Sequence, residues 1–184
     1  PTGIAVNEEG YIFVSDGYGN ARVHKYSPTG SHMLSWGTAG KINPGQFHLP
    51  HGICLDNDGL VLVCDRENNR IQVFDQEGNL LYIWTHYGKP SGLFIDRHDI
   101  LYAGDGLSGM VRAGPPDNWR SNLGWEKGIR IGDLKTEQAW VTHFIPQHDV
   151  DVGAGIEFLG VDFEGNIYAG EVQRRRLVKY VPHR

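Results

Sequence analysis

"PHGICLDNDGLVLVCDRENNRIQVFDQEGNLLYIW", residues 50–84, has the pattern of four short strands joined by turns. The segments GICLD and LVLVCD flank the turn NDG, and the segments RIQVFD and NLLYIW flank the turn QEG. The loop RENN joins the two hairpins. The stretch therefore predicts one four-stranded antiparallel meander.

The same pattern recurs along the chain, with similar stretches that begin at Pro1, Pro90 and, more weakly, Ile156. Repeats of about 40 to 50 residues that each form a four-stranded sheet are typical of β-propeller blades. We therefore expect an all-β protein in which the whole chain forms a single propeller region. The predicted blades are residues 1–49, 50–89, 90–155 with an insertion at 106–127, and 156–184.

The fourth repeat stops after its third strand, so the sequence predicts an incomplete propeller portion of about four blades. It is either a fragment or a short form that pairs its exposed edges with missing blades or with another chain.

Composition restricts the classes of partner. The 184 residues carry a net charge of −5, which offers no basic face for a phosphate backbone, so nucleic acid is not expected as a partner. The sequence contains no run of about 18 apolar residues, the length that a membrane span requires, so no membrane contact is expected. Two cysteines, Cys54 and Cys64, are expected to be buried free thiols, and they leave the compartment unknown.

Meander geometry brings distant residues together. Alternate connections lie at opposite ends of the strands, so the P-x-G entry of each first strand shares a face with the loop between the second and third strands. Because the first strand is innermost in a blade, the entry residues are expected to converge near the axis of the ring: Thr2, His51, Ser91 and Glu157. The loops above the same face supply Tyr18, Arg22, Arg66 and Arg70.

Two of the entry residues can bind metal. Imidazole nitrogen and carboxylate oxygen are both zinc ligands, so His51 and Glu157 are candidate ligands of a divalent metal. The alternative is that His51 only closes the turn between blades and that Glu157 is a solvated carboxylate.

The pattern P-x-G followed by D-x-x-N-x-R resembles NHL repeats over nearly the whole chain. More narrowly, "VSDGYGNARV", "PGQFHLPHG" and "DRENNRIQVF" resemble the peptidyl-α-hydroxyglycine α-amidating lyases and their bacterial relatives. The resemblance implies a zinc held by three histidines, of which His51 matches one. Glu157 stands in place of another, and Phe158 stands in place of an aspartate that helps to hold a structural calcium. The calcium site is therefore doubtful in this chain.

The resemblance also implies roles for two loop residues, with Tyr18 as the general base and Arg66 as the arginine that positions the substrate. A phenol has a pKa near 10, so it can act as a base near neutrality only if a cation or metal stabilises its phenolate. The alternative is that Tyr18 is an ordinary aromatic cap and that Arg66 pairs with Asp65 or Glu67 at the surface.

Other basic and aromatic residues are secondary candidates. Arg22 and Arg70 stand where NHL repeats prefer a basic residue, so hydrogen bonds between blades are expected, and Arg22 is also a candidate for substrate binding. Trp119, in the insertion rich in glycine and proline, is a second substrate-binding candidate, since such a loop can cover a site.

Two functions of different classes remain open. The first is a metal-dependent lyase that cleaves the C–N bond of an α-hydroxyglycine-like hemiaminal, in a peptide or small molecule, to an amide and glyoxylate. The second is a non-catalytic NHL scaffold that binds a protein or small ligand on its top face.

Overall fold

The structure of the chain, a computed structural model, describes residues 1–109, 122, 124–136, 138–147 and 155–182. In these residues the protein consists of β-strands and one short 3-10 helix. The chain divides into two compact units, Pro1–Thr85 and His86–Arg184. Trp119, most of the insertion at 106–127 and the connector at 148–154 lie outside the described residues. Among the described residues, no helix is long and apolar enough to cross a membrane.

The first unit contains two four-stranded antiparallel sheets and a two-stranded parallel pair. The first sheet, in the order β1-β2-β3-β4, contains Gly3–Val6, Ile12–Asp16, Arg22–Tyr26 and His32–Trp36. The parallel pair is β5 (Thr38–Ala39) and β6 (Gln46–Phe47). The second sheet contains β7 (Pro50–Leu55), β8 (Val61–Asp65), β9 (Arg70–Phe74) and β10 (Leu80–Trp84). The 3-10 helix, Arg66–Asn68, joins β8 to β9.

The second unit contains one four-stranded and one three-stranded antiparallel sheet. The larger sheet contains β11 (Gly92–Ile95), β12 (Ile100–Asp105), β13 (Gly128–Asp133) and β14 (Val141–Pro146). The smaller sheet contains β15 (Ile156–Val161), β16 (Ile167–Glu171) and β17 (Arg176–Tyr180). All four sheets keep the chain order of their strands, as expected for successive meanders.

Turn chemistry explains where the hairpins close. In the NDG turn, the carboxylate of Asp56 accepts a 2.7 Å hydrogen bond from the backbone N–H of Leu60. Gly59 has a φ of 81°, which a residue with a Cβ adopts only with strain. Asp75 and Gly78 repeat this arrangement in the QEG turn. The turns fix the register of the flanking strands.

Each unit has its own apolar core. In the first unit, side chains from both sheets pack together: Phe13, Val23, Phe47, Ile53, Val61, Val63 and Phe74. In the second unit the core residues are Ile129, Ile156, Leu159, Ile167 and Ala169. Every residue of β8 and of β9 is buried, so these two strands are the most enclosed part of the first unit.

The predicted all-β class and the four-stranded meanders are confirmed, and the fourth sheet has three strands among the described residues. The exact blade limits and the single propeller region stay predictions, because the two units are described separately. Both cysteines are free; Cys64 is fully buried, and Cys54 is partly exposed.

Candidate functional site

Tyr18 lies in the loop between β2 and β3, and its side chain is 71% exposed. The preceding Gly17 lets this loop contact the second sheet, because a Cβ at Gly17 would overlap the carbonyl oxygen of Pro50. Gly19, on the other side of Tyr18, has open space where its Cβ would be. The loop is therefore held against the second sheet on the Gly17 side of the tyrosine.

His51, the second residue of β7, contacts Tyr18 edge to face, with ring centroids 6.0 Å apart and an interplanar angle of 77°. Below these rings, hydrogen bonds join the entries of the two sheets. The hydroxyl of Thr2 donates a 2.7 Å hydrogen bond to the carbonyl oxygen of Pro50. The hydroxyl of Ser15 donates a hydrogen bond to the backbone carbonyl oxygen of His51. The entry residues Thr2 and His51 are thus neighbours within the first unit, as the meander geometry predicts.

Arg66 begins the 3-10 helix and is only 4% exposed. Its Nη2 donates a 3.4 Å hydrogen bond to the hydroxyl of Tyr18, and its Cζ lies 5.7 Å from the centre of the tyrosine ring. Its Nε lies 3.6 Å from the carboxylate of Glu67. Arg66 therefore contacts Tyr18, as expected of a residue that positions the substrate, and it also pairs with Glu67, as the alternative expects. The ion pair with Glu67 is buried and not at the surface.

A buried carboxylate next to Arg66 holds this part of the chain in place. Asp65 is fully buried and accepts four hydrogen bonds, from the backbone N–H of His48 and the side chains of Asn68, Arg70 and Gln72. Burial raises the pKa of the Asp65 carboxyl, and the hydrogen bonds from His48, Asn68 and Arg70 oppose that rise. The network fixes the backbone from which the Arg66 side chain extends.

The two arginines of the repeat motif have different environments. Arg70 is buried and donates hydrogen bonds to the carbonyl oxygens of Asn43 and Gln46, in the segment that joins the two sheets. Arg22 is exposed, and among the described residues none forms a hydrogen bond or ion pair with its guanidinium. The expectation that Arg22 bonds between blades stays a prediction. The loop before Arg22 is one residue longer than the loop before Arg70, yet each arginine lies opposite the aspartate that ends the preceding strand, Asp16 and Asp65 respectively.

A cleft of about 680 Å³ lies beside Tyr18 in the first unit. Its lining combines Tyr18 with three basic side chains, those of Arg22, Lys41 and His48. Such a lining suits a ligand that carries a carboxylate. The sequence assigned no function to Lys41 or His48, which lie in the connector between the first two sheets.

The predicted metal ligands lie in different units, with His51 in the first and Glu157 in the second. In the second unit, the entries of the two sheets approach closely, since a Cβ at Gly92 would lie 2.8 Å from the carbonyl oxygen of Glu157. No group of three or more histidine, cysteine, aspartate or glutamate side chains is arranged to hold a metal ion within the described ranges. The pairing of His51 with Glu157 stays a prediction. Trp119 lies outside the described residues.

The family model of the NHL repeat matches residues 47–74. Peptidyl-glycine alpha-amidating monooxygenase B of Xenopus laevis is 44% identical over 192 residues, which cover 99% of this chain and 20% of that protein. Peptidyl-alpha-hydroxyglycine alpha-amidating lyase 1 of Drosophila melanogaster is 42% identical over 205 residues, which cover 98% of this chain and 35% of that protein. The chain thus spans about a fifth and about a third of the length of these relatives.

Among solved structures, the WD40 β-propeller domain of Doa1 is similar to this chain, with a TM-score of 0.63 and 11% sequence identity. The alignment covers 96% of this chain and 48% of the Doa1 chain. At this identity the likeness shows the fold alone. It confirms that the four sheets are blades of the β-propeller type.

Proposed function

Since this chain is an NHL-repeat β-propeller that resembles the peptidyl-α-hydroxyglycine α-amidating lyases, we propose that it is a carbon–nitrogen lyase. Its substrate is an α-hydroxyglycine-like hemiaminal, and the products are an amide and an aldehyde acid such as glyoxylate. The identities to the named relatives support a lyase-like propeller at the level of the family.

One observation carries the proposal: the guanidinium of Arg66 bonds to the hydroxyl of Tyr18, with the His51 ring against the same tyrosine. Tyr18 lies in a connection of the first sheet, whereas His51 and Arg66 belong to the second sheet and its connection. A cation at this position can stabilise the negative charge that develops on the tyrosine oxygen during proton transfer.

The reaction is balanced with no oxidant and no added water. The Tyr18 oxygen removes the proton of the substrate hydroxyl, and the resulting oxyanion forms the C=O bond of the aldehyde. The C–N bond breaks, its electron pair goes to nitrogen, and the proton returns from Tyr18 to that nitrogen to give the amide. We propose that the exposed guanidinium of Arg22, which lines the cleft, binds the substrate carboxylate.

These proton transfers and bond changes involve only the substrate and side chains of the first unit. A catalytic zinc has three protein ligands, and the described residues bring one imidazole, that of His51, to the Tyr18–Arg66 pair. The residues described do not make up a zinc site, so no proton or bond is routed through a metal.

The alternative, a non-catalytic NHL scaffold, is favoured by one feature of the sequence. Glu157 occupies the position at which the resemblance implies a histidine, and Phe158 follows it in place of an aspartate. A scaffold would use the basic cleft beside Tyr18 for binding only.

The test is glyoxylate release from a peptide that ends in α-hydroxyglycine, measured with the purified chain and with added Zn²⁺ in a parallel sample. We expect amide and glyoxylate in equal amounts, faster than the spontaneous reaction. A rate equal to the spontaneous one in both samples would contradict the lyase and leave the scaffold.

A further inference from the structure

A second cluster of potential ligands lies on the first sheet. The Nδ1 atom of His24 and the Nε2 atom of His32 are each 2.7 Å from the hydroxyl oxygen of Ser35. The two nitrogens can therefore be no farther apart than twice that distance, and their ring centroids are 5.9 Å apart. His32 is exposed, and the His24 side chain is 21% exposed, so solvent reaches the cluster.

A β-bulge brings His32 to the same face as Ser35. In a regular strand, residues three positions apart point to opposite faces. Here the register between β3 and β4 shifts, with Lys25 opposite Leu34 but Tyr26 opposite His32, so Met33 is an extra residue. The bulge returns His32 to the face of its neighbours, which is how bulges re-aim side chains.

A carboxylate orients the first of the two imidazoles. The Oδ2 atom of Asp16 lies 3.6 Å from Nε2 of His24, on the side of the ring opposite Ser35. The carboxylate favours the tautomer with its proton on Nε2, which leaves a lone pair on Nδ1. A histidine that ligates a metal through one nitrogen usually faces a carboxylate, carbonyl or water with the other.

A hydrogen bond holds that carboxylate in place. The amide of Asn20 donates to Oδ2 of Asp16 over 2.7 Å, and the same oxygen faces His24.

We propose that His24 and His32 form a binding site for a first-row divalent transition metal, with Zn²⁺ or Cu²⁺ as the cations that suit imidazole ligands. In a tetrahedral site with Zn–N bonds of about 2.0 Å, the two nitrogens are roughly 3.3 Å apart, so metal binding brings the His24 and His32 rings to that separation. The Ser35 hydroxyl or water completes the coordination. The ring of Tyr26, 5.5 Å from that of His32, lies along one side.

The site belongs to the first sheet and not to the repeat. The second sheet has the same bulge, with Leu80 opposite Phe74 and Tyr82 opposite Val73. At the positions equivalent to those of the cluster, it carries Gln72, Leu80 and Ile83, which do not form a metal site. The bulge is thus part of the fold, whereas the ligands are a feature of this blade.

The test is Zn²⁺ titration of the purified chain by calorimetry, compared with His32→Ala and with His143→Ala as the control. His143 is also an exposed histidine on a strand, but it lies in the second unit. Loss of an outer partner of a metal ligand alone costs about 10- to 100-fold in metal affinity, so the loss of a direct ligand should weaken one Zn²⁺ site at least about tenfold. The control should bind as the wild type does.

A separate His51→Asn variant distinguishes this site from any metal at the candidate lyase site. We expect His51→Asn to keep the Zn²⁺ site that His32→Ala loses. In crystals of the wild type soaked in Zn²⁺, we expect anomalous density about 2.0 Å from Nδ1 of His24 and Nε2 of His32. Equal Zn²⁺ affinity and stoichiometry in the wild type and His32→Ala would overturn the proposal, as would the absence of any Zn²⁺ binding. Neither result bears on glyoxylate release.

Discussion

Arg66 donates a hydrogen bond to the hydroxyl of Tyr18, although the two residues are 48 positions apart and lie in connections of two different sheets. The contact joins the loop between β2 and β3 to the 3-10 helix between β8 and β9. It also places the guanidinium of Arg66 against the phenol of Tyr18.

Arg66→Gln should lower kcat for glyoxylate release. A hydrogen bond from a charged group is worth about 1.5–3 kcal/mol, so we expect a loss of about 10- to 100-fold. Arg66→Lys keeps the charge but lacks the planar guanidinium, so its kcat should fall by a smaller factor than that of Arg66→Gln. Steady-state kinetics measures both variants. Glu67 also contacts Arg66, so thermal unfolding must show that each variant is folded. Unchanged kcat in folded Arg66→Gln would remove Arg66 from the mechanism.

Gly17→Ala should displace the loop that carries Tyr18, because the new methyl group would overlap the carbonyl oxygen of Pro50. We expect lower glyoxylate release and lower thermal stability. Gly19→Ala is the matched control, since nothing lies within 4 Å of a Cβ there. If the two variants had equal activity and equal melting temperatures, the close contact at Gly17 would have no part in positioning Tyr18.

Asp65→Asn should destabilise the first unit by about 3–5 kcal/mol, because it leaves the buried Arg70 without its anionic partner. Urea unfolding of the chain measures the change. The control is Asp58→Asn at an exposed position, where a change within about 0.5 kcal/mol is expected. Equal effects of the two substitutions would show that the network around Asp65 adds little to stability.

The Cys64 thiol should not react with iodoacetamide in the folded protein. Burial raises the pKa of Cys64 well above its ordinary value, and the thiolate is the reactive form. Burial also raises the pKa of Cys54. Mass spectrometry after labelling should therefore show both thiols reacting slowly in the folded protein, with Cys54, which is partly exposed, modified before Cys64, and both modified in urea. Labelling of Cys64 at the rate of the unfolded chain would contradict the burial of β8.

The sequence predicts the meanders and the meeting of Tyr18 with His51 and Arg66, since alternating connections require it once the repeats are aligned. It does not predict that Arg22 is exposed while Arg70 is buried, because the two arginines share the motif and the register opposite Asp16 and Asp65. Nor does it predict that His24 and His32 share a face, because the bulge that turns His32 toward Ser35 has no sequence signal.

The most direct measurement compares glyoxylate release by the wild type, Tyr18→Phe and Tyr82→Phe from the same α-hydroxyglycine peptide. Tyr82 is also an exposed tyrosine of the first unit, and it stacks on Trp84 rather than on the candidate site. A general base contributes at least about 100-fold, so Tyr18→Phe should lose about that much while Tyr82→Phe keeps full activity. Turnover by Tyr18→Phe equal to that of the wild type would contradict the assignment of Tyr18 as the base.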